Sequence, residues 1–230
     1  MGIHSEIPAI AALVPMKWHS ERVPGKNIRP LCGKPLFHWI LGALSDCRYV
    51  DQIVIDTDSP QIAEEAYAHF DVRIIERPDH LIGDMFVAND LIEYDITQLN
   101  EFDFFLQTHS TNPLLKSSTI DAAIEAFFSQ SVHDTLLTVT ALQTRLYRPD
   151  GSPLNHDPHK LIRTQDLEPL YEENSCLYIF SRESFLKNTN RIGERPMLYE
   201  MDAAEAWDID EELDFQIADF LMRFRYEDGT

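Results

Sequence analysis

Five cations crowd one short stretch of this chain: Lys17, Arg22, Lys26, Arg29 and Lys34 fall between an apolar run (Ile7 to Val14) and a second one opening at Leu36. The first run reads as a β-strand and the second as the start of a helix. A loop that leaves a strand and enters a helix is where backbone amides and cations converge on a polyphosphate. The rest of the chain is strongly acidic, with 39 Asp and Glu against 19 Lys and Arg and a formal net charge of −20. A basic loop set in such a chain predicts a bound nucleotide. Near the other end, Asp208-Ile-Asp210 places two carboxylates at a spacing of two. In an extended segment both project to one face, where they can hold Mg²⁺, a hard cation that prefers carboxylate and phosphate oxygens. Taken alone, the same spacing also suits a cap on the final helix.

The elements that must position these groups alternate between strand-like and helical patterns. Strands are expected at Gln52 to Asp56, Val72 to Ile75, Phe102 to Gln107, Thr135 to Ala141 and Ser175 to Phe180. Helices are expected at Pro35 to Cys47, from a Ser59 cap to His69, at Phe86 to Leu99, at Ser117 to Phe128 and from Glu211 to about Phe224. That rhythm predicts an α/β fold, a mostly parallel sheet with helices on both faces. Between residues 142 and 174 it breaks into a proline-rich polar stretch too long for an ordinary connection. The expectation is a single domain over residues 1–230, with 142–174 as an inserted excursion that covers the site or reaches a second subunit. His156-Asp-Pro-His159 falls in this stretch and reads as a surface loop, because no further ligand stands at metal-binding spacing.

Composition narrows the function. A hydrophobic fraction of 44% and an aromatic fraction of 10% suit a folded globule. The acidic balance argues against nucleic acid or an anionic membrane as partner. Three cysteines without metal or redox spacing, and no apolar leader or membrane span, predict a soluble cytoplasmic protein. No G-x-G-x-x-G occurs among the eight glycines, which disfavours a dinucleotide dehydrogenase, and neither Gly25-Lys26 nor Gly33-Lys34 is followed by Ser or Thr as a P-loop requires.

Four segments in order carry a family resemblance. The basic loop, with Ser20, Pro24, Lys26, Asn27 and Gly33-Lys-Pro-Leu36, is similar to the S-K-G-x-P-x-K-N and G-K-P-L segments of the acylneuraminate cytidylyltransferases, whose relatives include the 3-deoxy-manno-octulosonate cytidylyltransferases. Ile53-Val-Ile-Asp-Thr-Asp-Ser59 resembles their strand ending in S-T-D, Glu76-Arg-Pro-Asp-His-Leu-Ile-Gly-Asp84 their R-P-x-x-L-x-x-D, and Asp208-Ile-Asp-Glu-Glu-Leu-Asp214 their D-I-D-T-x-x-D. Lys17 stands where the family usually has Arg, and Glu21-Arg22 replaces Lys-Gly. The resemblance implies a Rossmann-like nucleotide-diphospho-sugar transferase fold and Mg²⁺-dependent transfer of CMP from CTP to an acidic, nonulosonate-like sugar, with release of pyrophosphate. It makes Lys26, Asp208 and Asp210 the catalytic groups, with Asp208 and Asp210 as metal ligands. Lys17, Ser20, Arg22, Lys26, Asn27 and Asp84 then serve the nucleotide, Asn27 being equally suited to form the turn.

Phe105-Leu-Gln-Thr-His-Ser-Thr-Asn-Pro-Leu-Leu115 parallels the family's L-Q-P-T-S-P-L-R stretch without a clean register, so Gln107 and His109 are both acceptor candidates. Arg163, Gln165 and Asn174 match an R-x-Q…N-G pattern, and Arg145 and Arg163 are the cations left for an acidic acceptor; a surface ion pair is the plain alternative for either. Glu172-Glu173 replaces residues that are commonly Arg-Pro in the sialic-acid enzymes and would repel an acceptor carboxylate, so the acceptor need not be sialic acid. Relatives are commonly homodimers whose inserted segment crosses to the partner. Two other readings stay open here: guanylyl or cytidylyl transfer to another sugar or phosphorylated alcohol, and a nucleotide-binding module without turnover.

Overall fold

The computed structural model describes residues 7–20, 22–83 and 87–227, with side chains as far as residue 225. In chain order its elements are β1 (Ile10–Leu13), β2 (Pro30–Leu31), β3 (Lys34–Pro35), α1 (Leu36–Ser45), β4 (Gln52–Thr57), α2 (Pro60–His69), β5 (Val72–Glu76), α3 (Ala88–Thr97), β6 (Phe104–Thr108), α4 (Ser117–Phe128), β7 (Thr135–Leu142), β8 (Leu170–Ser181), α5 (Arg182–Asn188), β9 (Pro196–Glu200) and α6 (Glu212–Glu227). Seven strands form one sheet in the order β5-β4-β1-β6-β8-β7-β9. Only β8 runs against its neighbours; the other pairings are parallel.

Side-chain alternation sorts the two faces. Ile10, Ala12, Ile53, Ile55 and Leu106 pack under α1, α2 and α4, whereas Ala11, Leu13, Val54 and Phe105 pack against α3 and α5. Strands apolar on both faces are what a covered parallel sheet requires. A third cluster joins Val23, Leu31 and Leu36 of the basic loop to Ile209, Phe215, Ala218 and Met222, so the C-terminal segment and α6 clamp the loop from outside the sheet. The Arg29 guanidinium lies 4.0 Å from the Phe215 ring centroid and forks onto Glu212. Between β2 and β3, Cys32 and Gly33 both have positive φ (47° and 81°), the geometry of a two-residue type I′ hairpin turn. The Cys32 amide also donates to Asp219 of α6 at 3.1 Å.

Several expectations needed correction. β8 starts at Leu170, not Ser175, and pairs with β7 across Val139↔Glu173 to Leu142↔Leu170, so residues 170–174 are sheet. The polar Tyr171-Glu-Glu-Asn174 run hid this half-strand, whose side chains are partly exposed. α5, a seven-residue helix following β8 without a break, and β9, a half-exposed edge strand, carry no strong periodic signal. The expected helix start at Phe86 lies outside the described residues; α3 spans Ala88–Thr97.

Candidate active site

In the sheet order, β1 connects onward to β4 on one side and is flanked by β6 on the other. The crevice beyond the carboxyl ends of β1 and β6 is therefore the switch point at which open α/β sheets bind ligands. A cleft of about 410 Å³ lies there, lined by Pro15, Met16 and Lys17 after β1, by Ser20, Arg22, Lys26 and Asn27 of the loop, and by His109, Ser110 and Thr111 after β6.

The loop is fixed from several sides. The Trp18 amide donates to Asp58 at 2.7 Å, which pins the loop's start to the end of β4. Asn27 is buried; its amide donates to the Lys17 carbonyl at 2.9 Å, and its oxygen accepts from the Ser110 hydroxyl at 2.6 Å. Asn27 thus shapes the loop, and the turn-forming alternative accounts for its polar atoms. The Ser20 hydroxyl accepts from the Val23 amide at 3.4 Å. Gly25, at φ 63°, lets the chain turn into the short 3₁₀ segment Lys26–Ile28.

Lys26 joins the loop to the 208–210 segment. Its Nζ donates to the Ile209 carbonyl at 2.6 Å, and Ile209 is in turn held by its amide on the Thr111 carbonyl at 3.0 Å. Ile209 points into the core beside α6, and the alternation turns Asp208 and Asp210 toward the cations. Asp210 is half exposed and pairs with Arg22 at 2.7 Å. It does not cap α6; Asp214 reaches back to the amides of Asp210 and Glu211 at 3.1 and 2.8 Å. The capping alternative therefore falls to Asp214. One carboxylate oxygen of Asp208 is buried with no hydrogen-bond partner.

These surroundings shift the charges. Burial lowers the Lys26 pKa, Arg22 and Lys17 push the same way, and Asp208 and Asp210 oppose them. Burial raises the Asp208 pKa, and Asp210 adds to it. His109 is pushed down to about 4 by burial, then by Arg191 and Lys26, so its imidazole is neutral.

Beside the cleft, Gln107 is fully buried at the end of β6, with its Nε2 3.1 Å from His109 Nε2. Its Oε1 accepts from Arg191, whose guanidinium carbon lies 3.7 Å from the Tyr178 ring centroid. Arg191 went unnoticed in the sequence; it sits in an Asn-Arg-Ile-Gly turn after α5, where no motif flags it. The hydroxyls of Ser110 and Thr111 were also missed, although they follow the β6 segment already singled out.

The remaining candidates lie elsewhere. Arg145 donates to the Ile162 carbonyl, Arg163 pairs with its neighbour Asp166 at 2.7 Å, and the Gln165 carbonyl accepts from Gln143 at 3.1 Å, all between β7 and β8. Asn174 bonds the hydroxyls of Thr138 and Thr140 at 2.7 and 3.0 Å. The chain brings none of these four to the lining of its own cleft. Asp84 lies outside the described residues. Asp56 forms a buried ion pair with Arg77, so those two motif positions engage each other across β4 and the end of β5.

The sequence model of a protein family described as cytidylyltransferase matches residues 11–225. The CMP-N,N'-diacetyllegionaminic acid synthase of Legionella pneumophila is 31% identical over 232 residues, covering 95% of this chain and 98% of that protein. Post-translational flagellin modification protein B of Campylobacter coli is 28% identical over 214 residues, covering 89% and 91%. The N-acylneuraminate cytidylyltransferase of Oncorhynchus mykiss is 29% identical over 225 residues; this chain spans 51% of its length. Among solved structures, CMP:2-keto-3-deoxy-manno-octonic acid synthetase complexed with CTP superposes with a TM-score of 0.68 at 13% identity, over 94% of this chain and 99% of that one. The 4-diphosphocytidyl-2C-methyl-D-erythritol synthase of Anaerococcus prevotii gives 0.69 at 12% identity, over 94% and 96%. At such identities these two show the shared fold, the Rossmann-like nucleotidyltransferase sheet.

Proposed function

We propose, from the premise that this chain belongs to the cytidylyltransferase family, that it transfers CMP from CTP to the hydroxyl of an acidic, nonulosonate-like sugar and releases pyrophosphate. The observation that carries this reading is the junction between the basic loop and the paired carboxylates, made by Lys26 on the Ile209 carbonyl. The acceptor hydroxyl oxygen forms a bond to the α-phosphorus, its proton passing to solvent, while the bond to the oxygen bridging to the β-phosphate breaks and pyrophosphate leaves. Lys17, Arg22 and Lys26 spread positive charge along the triphosphate and neutralise what develops on the leaving pyrophosphate. Neutral His109 offers a hydrogen-bonding nitrogen without a further charge. Gln107 and Arg191 serve the acceptor, Arg191 supplying the cation that a sugar carboxylate requires.

Asp208 and Asp210 are the residues that would hold Mg²⁺. Their fit rests on donor chemistry: a buried Asp208 oxygen lacking a protein partner, beside a half-exposed second carboxylate. When bound, the ion would neutralise phosphate oxygens.

The reading extends to a homodimer in which the 143–169 excursion brings Arg145, Arg163 and Gln165 to the partner's acceptor. Exposed Tyr147, Leu154, Leu161 and Ile162 on that excursion support an interface there. Three free cysteines support a reducing compartment, the cytoplasm, and no helix among the described residues is long and apolar enough to cross a membrane. Unfolding temperature with Mg²⁺ and CTP, GTP, ATP or UTP in turn tests the donor. The largest rise is expected with CTP, and a larger rise with GTP would overturn that choice.

A further inference from the structure

Away from the cleft, α1 and α2 bring together three groups that the transfer reaction does not use. His38 lies in the first turn of α1, and Glu65 and His69 stand one turn apart on α2, a spacing that puts both on one helix face. One nitrogen of each imidazole and one Glu65 carboxylate oxygen all lie within 4.8 Å of one another. Glu65 Oε1 is 3.2 Å from His38 Nε2 and 3.5 Å from His69 Nδ1. Among the described residues no other three His, Cys, Asp or Glu converge so closely.

A second observation concerns His38 itself. Its side chain is only 8% exposed. Phe37 and Phe70 pack edge-on against its ring at 4.7 and 5.0 Å between centroids. Its buried Nε2 has the Glu65 carboxylate at 3.2 Å, without the alignment of a good hydrogen bond. Burying an imidazole nitrogen so poorly satisfied is costly, and a histidine that merely filled this aromatic niche would do so less well than phenylalanine. The nitrogen faces Glu65 and, beyond it, His69 on α2, whose side chains are 40% and 51% exposed.

We propose that His38, Glu65 and His69 form a second cation site, taking a borderline transition ion such as Zn²⁺. Two imidazole nitrogens and one carboxylate oxygen suit Zn²⁺, Co²⁺ or Ni²⁺, whereas Mg²⁺ and Ca²⁺ require oxygen ligands throughout. Tetrahedral ligands on bonds of about 2.0–2.2 Å stand about 3.3–3.6 Å apart, which the 3.2 and 3.5 Å separations of Glu65 Oε1 from the two imidazoles already approach. The exposed side chains of α2 can supply any further adjustment, while His38 is the fixed point. Ligation through His69 Nδ1 would replace its 3.0 Å contact with the Glu65 carbonyl. A bound ion would staple α2 to α1, the helix that begins where the nucleotide loop ends.

Calorimetric titration of Zn²⁺ into the chelator-treated full chain tests this, alongside His69→Gln and Glu65→Gln. Both substitutions fall on exposed side chains, and thermal melts verify that the variants fold. Co²⁺ in place of Zn²⁺ gives a second readout, because tetrahedral imidazole and carboxylate ligation colours the ion. The expected result is one Zn²⁺ per chain, unaffected by excess Mg²⁺, and weakened at least about tenfold in each variant with loss of the Co²⁺ absorption. Absence of Zn²⁺ binding by the wild-type chain would overturn the proposal, as would unchanged affinity in both variants.

Discussion

Replacing Lys26 by methionine removes a charge while keeping most of the side chain's reach. The ammonium carries three donors, and one is committed to the Ile209 carbonyl at 2.6 Å, leaving two for phosphate oxygens. Removing one preorganised donor from developing charge costs roughly 10²–10³ in rate, about 2.7–4 kcal/mol of transition-state stabilisation. The folded state loses a single charge-assisted hydrogen bond, about 1.5–3 kcal/mol at the upper end for a half-buried group. The variant should therefore fold, yet its kcat/KM for CTP should fall by about a hundredfold or more. The assay is pyrophosphate release at saturating acceptor, with urea unfolding as the control for folding. Because burial lowers the Lys26 pKa, the ammonium is lost at lower pH than an ordinary lysine as pH rises. Wild-type kcat/KM should thus decline on the alkaline side, and that limb should vanish in Lys26→Met. Unchanged kcat/KM in the variant would refute the assignment of Lys26 to the phosphates.

Asp210→Ala should abolish turnover while leaving urea stability within about 1 kcal/mol, since its exposed pair with Arg22 contributes little to the fold; full activity would remove Asp210 from the metal site. Arg77→Ala should cost about 3–5 kcal/mol in urea unfolding, because it leaves Asp56 buried without its cation. Asp95, against that pair, is held well above the usual carboxylate range by burial and then by Asp56, so the folded chain keeps a proton that the unfolded chain has lost. Stability should fall as pH climbs above 3.8 toward the raised value, and Asp95→Asn should flatten that slope and stabilise at neutral pH, as measured by denaturation across pH. Arg191→Lys should raise the KM for the acceptor about tenfold with little change in that for CTP, a split visible in steady-state kinetics.

Much of the candidate site was legible because its residues are adjacent in sequence. The basic loop and the Asp208-Ile-Asp210 segment stand out by residue type and spacing, and Ile209 between the two carboxylates packs into the core. The strands of the parallel core were legible for the same reason, being apolar runs with clear boundaries. What remained hidden depends on contacts between distant segments. Arg191 becomes relevant only because α5 delivers it beneath Tyr178 and beside Gln107, more than eighty residues away in sequence. Asn174 and Arg163 matched a motif, but their side chains are engaged within the β7–β8 region, which spacing alone does not reveal. His38, Glu65 and His69 carry no signal in sequence because they come from two helices and meet only once the chain folds.

The most direct test of the central claim is acceptor-dependent pyrophosphate release, measured with Mg²⁺, a set of nonulosonic acids, and CTP or GTP as donor. The account predicts release only when CTP and an acidic sugar are both present. Release driven by GTP, or by a neutral sugar or phosphorylated alcohol in place of every acidic sugar, would contradict it.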